Sequence, residues 1–595
     1  MTIEETYQQI NDLIDDKKFN DCLTLLEKKI EEFPSDNLLK RTFAEVNYAL
    51  NNYDVAIKIF EELLSLNEND IDLLEFLGNS YSLKHDYQNA TKILNRVIEI
   101  DPKNFGIKGL LAKIYFKQRK YKLSLEYIDE LIEKDQNCSD KDLIQRNVLK
   151  SQIYTKLDAP TKAINILKEL NIKFPNTAEV MSLLGYRLAT ANKAEEGLEV
   201  LLKAEKIEPS EQIYNGLGIV YNFIGEIEKS RKYLKKCLEI NPDNFEVFRN
   251  LSTMTKFTKG NKYIKKYEEY IEKRTDLTNE NKIDIGFSLG KYYHDQKEFD
   301  LAFKYYQIAN DIIDLSFNYA VETEDQQYND LIKIFNDETI KLYQEDYDDD
   351  IRTIFIVGMP RSGTSLTEQI IGAHSMVHQL GEQKYIINLI KYFNDRINDG
   401  AKFDKETKYN QTAELIRFLR NDFITEVKKS SKNCKIFTEK MPFNYKFVGF
   451  IKTLFPKAKI IYCKRNPMDN CASIYRTYFA NGNIGWAYNL NKIGKVYNIH
   501  ETITEYWKTI FKNDIYTLSY ESLVEDFDNE ARKLISFVEL DWEDSCQEFY
   551  KAKSNVMTAS SEQVRRPIYK DSVLSYRNYS KYLSDLENQL KNKGV

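Results

Sequence analysis

The feature that most restricts the fold of this chain is a period. Small residues stand at Cys22, Ala56, Ala90 and Ser124, 34 residues apart, inside segments of one pattern: KFNDCLTLLEKKIEEFPSD, NYDVAIKIFEELLSLNEND, DYQNATKILNRVIEIDPKN and KYKLSLEYIDELIEKDQN. The register shifts once, through an insertion near Asn137 to Lys141, and resumes at Ala163, Gly197 and Ser230 after intervals of 39, 34 and 33. Pro175, Pro209 and Pro242 keep the same spacing independently. One amphipathic helical hairpin cannot bury its apolar face, whereas a stack of them can, so a period of this length predicts a helical solenoid. The scarcity of helix breakers, 11 Pro and 21 Gly in 595 residues, agrees with long helical stretches.

Within a unit, Leu-Gly-x-x-Tyr-like stretches (Leu77, Gly78, Tyr81; Leu217, Gly218, Tyr221) precede the small residue by about a dozen positions. This resembles the tetratricopeptide repeat, whose two helices cross closely at small residues and whose proline ends the second helix. A last unit is visible around EFDLAFKYYQIAND with Ala302, and the pattern is degenerate between Lys259 and Asn281. The resemblance implies a face for a protein or peptide partner, or else a scaffold or homodimer surface. A generic amphipathic helical bundle is the plainer alternative.

Length alone predicts two or more domains. A net charge of −7 (85 Lys and Arg against 92 Asp and Glu) offers no general basic field, so no nucleic-acid partner is expected. No apolar run approaches the ~20 residues of a membrane span, and the start MTIEETYQQINDLIDDKKF lacks the features of a secretory signal. The seven scattered cysteines form no C-x-x-C pair. These features together suggest a cytoplasmic protein without a disulfide framework.

From about Asp350 the character changes. The acidic run Glu345 to Asp350 reads as a solvated linker, and then comes IRTIFIVGMPRSGTSLTEQIIGAH: an apolar, β-branched run, a Gly/Ser-rich turn and an amphipathic helix. A strand, tight loop and helix N-terminus in that order make an anion site, because backbone N–H groups and the helix dipole point at one place. Gly358 and Gly363 have nucleotide-loop spacing, but Thr364 and Ser365 stand where an ATPase or kinase loop has Lys followed by Ser or Thr. A P-loop kinase is therefore disfavoured.

PRSGTS after an apolar strand resembles the 5′-phosphosulfate loop of sulfotransferases that use 3′-phosphoadenosine 5′-phosphosulfate (PAPS). The resemblance implies that Arg361, Ser362, Gly363, Thr364 and Ser365 hold the 5′-phosphosulfate. In KAKIIYCKRNPMDNCASIYRTYF, Arg465 follows a strand and Ser473 lies eight residues later, as in the family's 3′-phosphate pair. An arginine fork suits phosphate oxygens and a hydroxyl adds a donor. Glu382, 21 residues after Arg361, is similar in context to the catalytic base of the tyrosylprotein type, and Lys440 in TEKMPFN to the lysine beside the bridging oxygen. Tyr520 is expected near the nucleotide, and Ser560 in TASSEQVRRPIY in the loop that covers it. Ser575 departs from the pattern, which has a basic residue there; Arg565, Arg566 or Arg577 could compensate. His374 and His378 have the i, i+4 spacing of metal ligands, but the chain holds no H-E-x-x-H, sulfuryl transfer needs no metal, and none is expected.

The expected architecture is a tetratricopeptide α-solenoid over 1–310, a helical connector over 311–350, and over 351–595 an α/β domain with a parallel sheet and a P-loop-like phosphate loop. The expected activity is PAPS-dependent sulfuryl transfer to a hydroxyl acceptor, such as a protein tyrosine or a glycan, with the repeats binding substrate or a partner protein. The alternative is a repeat scaffold whose C-terminal domain binds nucleotide without catalysis.

Overall fold

A computed structural model describes residues 3–135, 137–191, 193–317, 319–345, 351–399, 405–431, 434–479, 484–552 and 562–591. The chain divides into two compact units, Met1–Ala191 and Asn192–Val595.

The first unit is a succession of helical hairpins, and its caps recur with the sequence period. Asp36, Asp70 and Asn104 each accept hydrogen bonds from backbone N–H groups one turn into the helices Asn37–Ala49, Ile71–Leu83 and Phe105–Lys117. Residues with left-handed backbone recur at Asn51, His85 and Arg119, where each hairpin turns. The periodic small residues Cys22, Ala56, Ala90, Ser124 and Ala163 are all fully buried. At Gly78 a Cβ would lie 2.4 Å from Leu94 Cδ2, so any side chain there would have to displace Leu94 from the crossing. One unit on, the Ser124 hydroxyl donates to the carbonyl of Ala112 at 2.7 Å across the same crossing. The insertion that shifts the register is taken up by Asp140–Lys156, which runs 17 residues where Phe105–Lys117 runs 13.

In the second unit the pattern continues. Gly218 faces Leu234 as Gly78 faces Leu94, and the Ser230 hydroxyl donates to the Gly218 carbonyl at 2.6 Å. The degenerate stretch is occupied by irregular backbone and the short helix Ile264–Lys273. The last hairpin, Asn279–Asp295 with Phe299–Ser316, shares one core with the C-terminal part of the chain: Phe303 stacks on Tyr582 at 4.2 Å, and the buried Asn310 amide donates to the Tyr475 carbonyl at 3.0 Å.

That part is built on five parallel strands, β1 (Arg352–Gly358), β2 (Val377–Gln379), β3 (Ile436–Glu439), β4 (Lys459–Lys464) and β5 (Ile515–Ser519), in the order β2-β3-β1-β4-β5. Alternation along β1 sends Phe355 and Val357 to a core with Phe423, Phe450 and Trp507, and Ile354 and Ile356 to one with Ile370, Leu534 and Ile535. Both faces are covered, as parallel sheets require. The carboxyl ends of β1, β3, β4 and β5 are left to carry side chains toward a ligand. Among the described residues no helix is long and apolar enough to cross a membrane.

Candidate functional site

The loop after β1 enters the helix Thr364–Gly372 through Gly363, whose φ of +105° is open only to glycine without strain. A Cβ there would also lie 2.9 Å from Tyr520 Cδ2, so the ring packs directly on the loop. Arg361 itself is left-handed, at φ +67°. Ser362, Thr364 and Ser365 are buried, and Ser362 Oγ has no hydrogen-bond partner among the described residues.

Arg465 stands just beyond β4. Asn466 caps the helix Pro467–Tyr475, which carries Ser473. The buried Arg465 donates from Nη1 to the Arg361 carbonyl at 3.0 Å and from Nη2 to the Ser572 carbonyl at 2.8 Å, while its Nε has no partner among the described residues. Its guanidinium lies 4.7 Å over the Tyr520 ring, and the Tyr520 hydroxyl is 2.6 Å from Ser572 Oγ. Arg361 Nε donates to Ser473 Oγ at 3.2 Å, and Nη2 to Gln563 Oε1 at 2.9 Å. Burial, and then the neighbouring Arg465, push the Arg361 guanidinium down to about 10. Crowded like charges of this kind favour an anionic ligand.

A second cluster lies where β3 ends. Pro442 keeps Met441 extended, at φ −109° and ψ 106°, so the chain leaves the strand in a turn that buries Lys440 completely. Lys440 Nζ is ion-paired with Glu382, which lies between β2 and the helix Tyr385–Asp399 with 36% of its side chain exposed. The Lys440 backbone N–H donates to the Gly381 carbonyl at 3.0 Å. The Gly381 N–H in turn donates to Glu368 Oε1 at 3.1 Å. Glu368 is buried on the loop helix, and burial pushes its carboxyl up to about 7 against the pull of Lys440. Glu439, also buried, accepts from Asn444 Nδ2 at 2.6 Å and is held well above the usual carboxylate range by burial. One ammonium thus serves three carboxyl groups.

Both clusters border a cavity of about 560 Å³ whose lining includes Arg361, Glu382, Arg465 and Ser473, with Asn250 and Lys291 from the repeat helices. The structure therefore brings together Arg361, Arg465, Ser473, Tyr520 and Glu382, with Lys440 behind Glu382. Ser560 lies outside the described residues. His374 and His378 do not share a helix: His374 Nε2 contacts the Asp541 carbonyl at 3.0 Å, and His378 stands in β2 against Phe437. Sequence reasoning missed Glu368, Glu439, Ser572 and Arg476, and it placed Gln563 only as part of the covering loop TASSEQVRRPIY. Of the missed residues only Glu368, a carboxylate in the amphipathic helix that follows the loop, had a signal in the local pattern.

Residues 353–544 match the sulfotransferase family, residues 211–244 the tetratricopeptide repeat, and residues 49–131 subunit 3 of the anaphase-promoting complex, cyclosome. The chain therefore combines tetratricopeptide repeats with a C-terminal sulfotransferase-family domain. It is similar to an uncharacterized protein of Aquifex aeolicus, 29% identical over 549 residues covering 90% of this chain and 71% of that protein. It is also similar to a protein-tyrosine sulfotransferase of Drosophila melanogaster, 25% identical over 248 residues, 40% of this chain and 48% of that enzyme. Among solved structures, the sulfotransferase domain of the Synechococcus PCC 7002 olefin synthase matches with a TM-score of 0.31 at 15% identity, over 42% of this chain and 98% of that one.

Proposed function

We propose that the protein transfers the sulfuryl group of PAPS to a hydroxyl acceptor. The observation that carries this reading is the convergence of Arg361, Arg465 and Ser473 in a cavity that Glu382 also lines, with Lys440 paired to that glutamate. The donor set fits the nucleotide. The unpartnered Arg465 Nε and Ser362 Oγ are buried polar groups of the kind that a bound anion satisfies.

In this reading Arg361, the Ser362–Ser365 backbone and hydroxyls, and the N-terminus of Thr364–Gly372 hold the 5′-phosphosulfate. Arg465 and Ser473 hold the 3′-phosphate, Tyr520 packs against the nucleotide, and Ser560 belongs to the covering loop. Glu382 takes the proton from the acceptor hydroxyl as its oxygen bonds to sulfur. Lys440 donates to the bridging oxygen as the bond between that oxygen and sulfur breaks, so the charge on the departing 3′-phosphoadenosine 5′-phosphate meets a fixed ammonium. No metal enters this scheme. The similarity to protein-tyrosine sulfotransferases favours a tyrosine acceptor, with a glycan hydroxyl as the other candidate, and the repeats bind the substrate or a partner protein.

Titration calorimetry with 3′-phosphoadenosine 5′-phosphate tests the donor site: binding should weaken strongly when the 3′-phosphate is absent, and no binding, or equal binding of both nucleotides, refutes the reading. Glu382→Gln should keep nucleotide affinity and lose transfer of radiolabelled sulfate to a peptide pool by about 10²–10⁴-fold. Retained turnover removes Glu382 from the base role.

A further inference from the structure

Glu382 stands on a short connection, and a carboxyl from another element fastens that connection. The ladder between β2 and β3 runs on past the strand ends: the Leu380 N–H donates to the Thr438 carbonyl at 2.9 Å, and the Lys440 N–H to the Gly381 carbonyl at 3.0 Å. Gly381 then turns the chain at φ +70°, and an added Cβ there would meet nothing within 4 Å, so main-chain contacts and not packing hold the turn. Its N–H donates to Glu368 Oε1 at 3.1 Å, and the Thr438 hydroxyl reaches the same oxygen at 3.4 Å.

Glu368 is 4% exposed on the helix Thr364–Gly372, four residues after Thr364 and so one turn further along the same face. Thr364 lines the cavity and belongs to the loop that holds the sulfuryl donor in the proposed reading. A single helical turn thus separates the donor loop from the carboxyl that holds the base loop. The spacing matters, because displacing a reacting group by about 1 Å can cost 10²-fold in rate. The charged groups facing Glu368 are Lys440 and Glu439 from the end of β3 and Glu382 from the connection after β2. On β4, burial pushes the Cys463 thiol up to about 12, so it brings no charge. Burial likewise lets Glu368 keep its proton to about 7. As the acid it leaves the Lys440 ammonium to Glu382 and to a leaving oxygen, whereas as the carboxylate it competes for that ammonium.

We propose that Glu368, in its neutral form, is a positioning residue for the transfer: it ties the base loop to the donor loop, keeping Glu382 in register with the sulfuryl group, and it leaves the Lys440 ammonium free to meet the departing oxygen. This role rests on the sulfuryl-transfer reading given above. It also makes the reaction sensitive to alkali through a group that touches neither substrate.

The test uses the full chain and two variants, Glu368→Ala and Glu368→Gln. Hydrogen–deuterium exchange of the peptide spanning Gly381 reads the fastening without any ligand: Glu368→Ala should speed exchange there by about tenfold, and Glu368→Gln should leave it within about threefold. Transfer of labelled sulfate from PAPS reads the register. At pH 6, Glu368→Ala should lower kcat by about 10- to 100-fold with the KM for PAPS within about threefold, and Glu368→Gln should restore kcat to within about threefold. From pH 6 to pH 8 wild-type kcat should fall by about tenfold as Glu368 ionises, while that of Glu368→Gln stays level. The pH comparison needs only Glu368→Gln, which keeps the side chain's shape, so it decides the matter even where Glu368→Ala fails to fold. Unmoved exchange at Gly381 or unchanged kcat in Glu368→Ala, a loss that Glu368→Gln does not rescue, or parallel pH profiles for wild type and Glu368→Gln would each overturn the assignment. Wild type that binds no 3′-phosphoadenosine 5′-phosphate by calorimetry, or passes no label to a peptide or glycan pool, sinks the transfer reading itself and this inference with it.

Discussion

Replacing Glu368 by glutamine should change how the stability of the sheet-containing unit depends on pH. Burial raises this carboxyl from its ordinary 4.5 to about 7, with Lys440 opposing and Glu382 adding repulsion. In the unfolded chain the group ionises near 4.5, whereas in the folded one it keeps its proton to about 7. Between these values the folded state holds the extra proton. The stability this group contributes is therefore full below 4.5, falls as pH rises, and is lost above about 7. At ~1.4 kcal/mol per pH unit the window corresponds to ~3 kcal/mol. Glutamine has the same shape, keeps a carbonyl for the Gly381 N–H and does not ionise. Relative to wild type, Glu368→Gln should therefore gain about 3 kcal/mol between pH 4.5 and pH 8. Urea denaturation followed by tryptophan fluorescence measures it, because all three tryptophans, Trp486, Trp507 and Trp542, lie in Asn192–Val595. Parallel stability curves for the two proteins across this range would refute the argument, since they would mean that Glu368 ionises in the fold as it does in water.

Three other substitutions probe the geometry. Gly363→Ala places a Cβ at φ +105° and 2.9 Å from the Tyr520 ring, at a cost of about 1–3 kcal/mol, and calorimetry should show at least a tenfold loss of nucleotide affinity with far-UV circular dichroism unchanged. Asp469→Ala leaves the Leu574 and Tyr576 N–H groups without their acceptor and should lower stability by about 2–4 kcal/mol by tryptophan-monitored denaturation; a change below about 1 kcal/mol would mean that water replaces the carboxylate. Leu94→Ala empties the helix crossing against Gly78 and should cost about 2–5 kcal/mol, read as an earlier thermal loss of helical circular dichroism, whereas an unshifted melt would show that the crossing repacks.

How much of this was legible in the sequence follows from how local each determinant is. The repeat was legible because caps such as Asp36 and Asp70, left-handed residues such as Asn51 and His85, and the small residues at the crossings all recur on one period. The strands β1 and β4 were visible as apolar runs. The three-residue β2 was not, and neither was the order that puts β1 between β3 and β4, because pairing joins residues far apart in the chain. In the site, Arg361, Arg465 and Ser473 stand next to the turns that fix them, so a short motif carries them. Gln563 reaches Arg361 across 202 residues and the Ser572 carbonyl reaches Arg465 across 107, contacts that no local spacing encodes. Glu439 sits beside Lys440 in sequence, yet its importance lies in being buried, and alternation along a four-residue strand does not reveal that.

A net charge of −7 gives the chain no general attraction for anions, so the way each cation is held decides what the site can bind. Arg465 donates to two main-chain carbonyls, and Arg476, which lines the same cavity, to a carbonyl, with the His294 imidazole, kept neutral by burial, and a serine hydroxyl within reach. Such partners fix a guanidinium without cancelling its charge. Lys440 is the opposite case, paired with Glu382 and surrounded by Glu368 and Glu439. Its charge is spent locally until a stronger acceptor competes for it. Carbonyl-held arginines suit a site that must attract and orient phosphate, and a carboxylate-held lysine suits one that must respond to negative charge developing during a reaction. In the proposed reading the site divides these two tasks between the end of β4 and the end of β3, and neither depends on the sign of the charge summed over the rest of the chain.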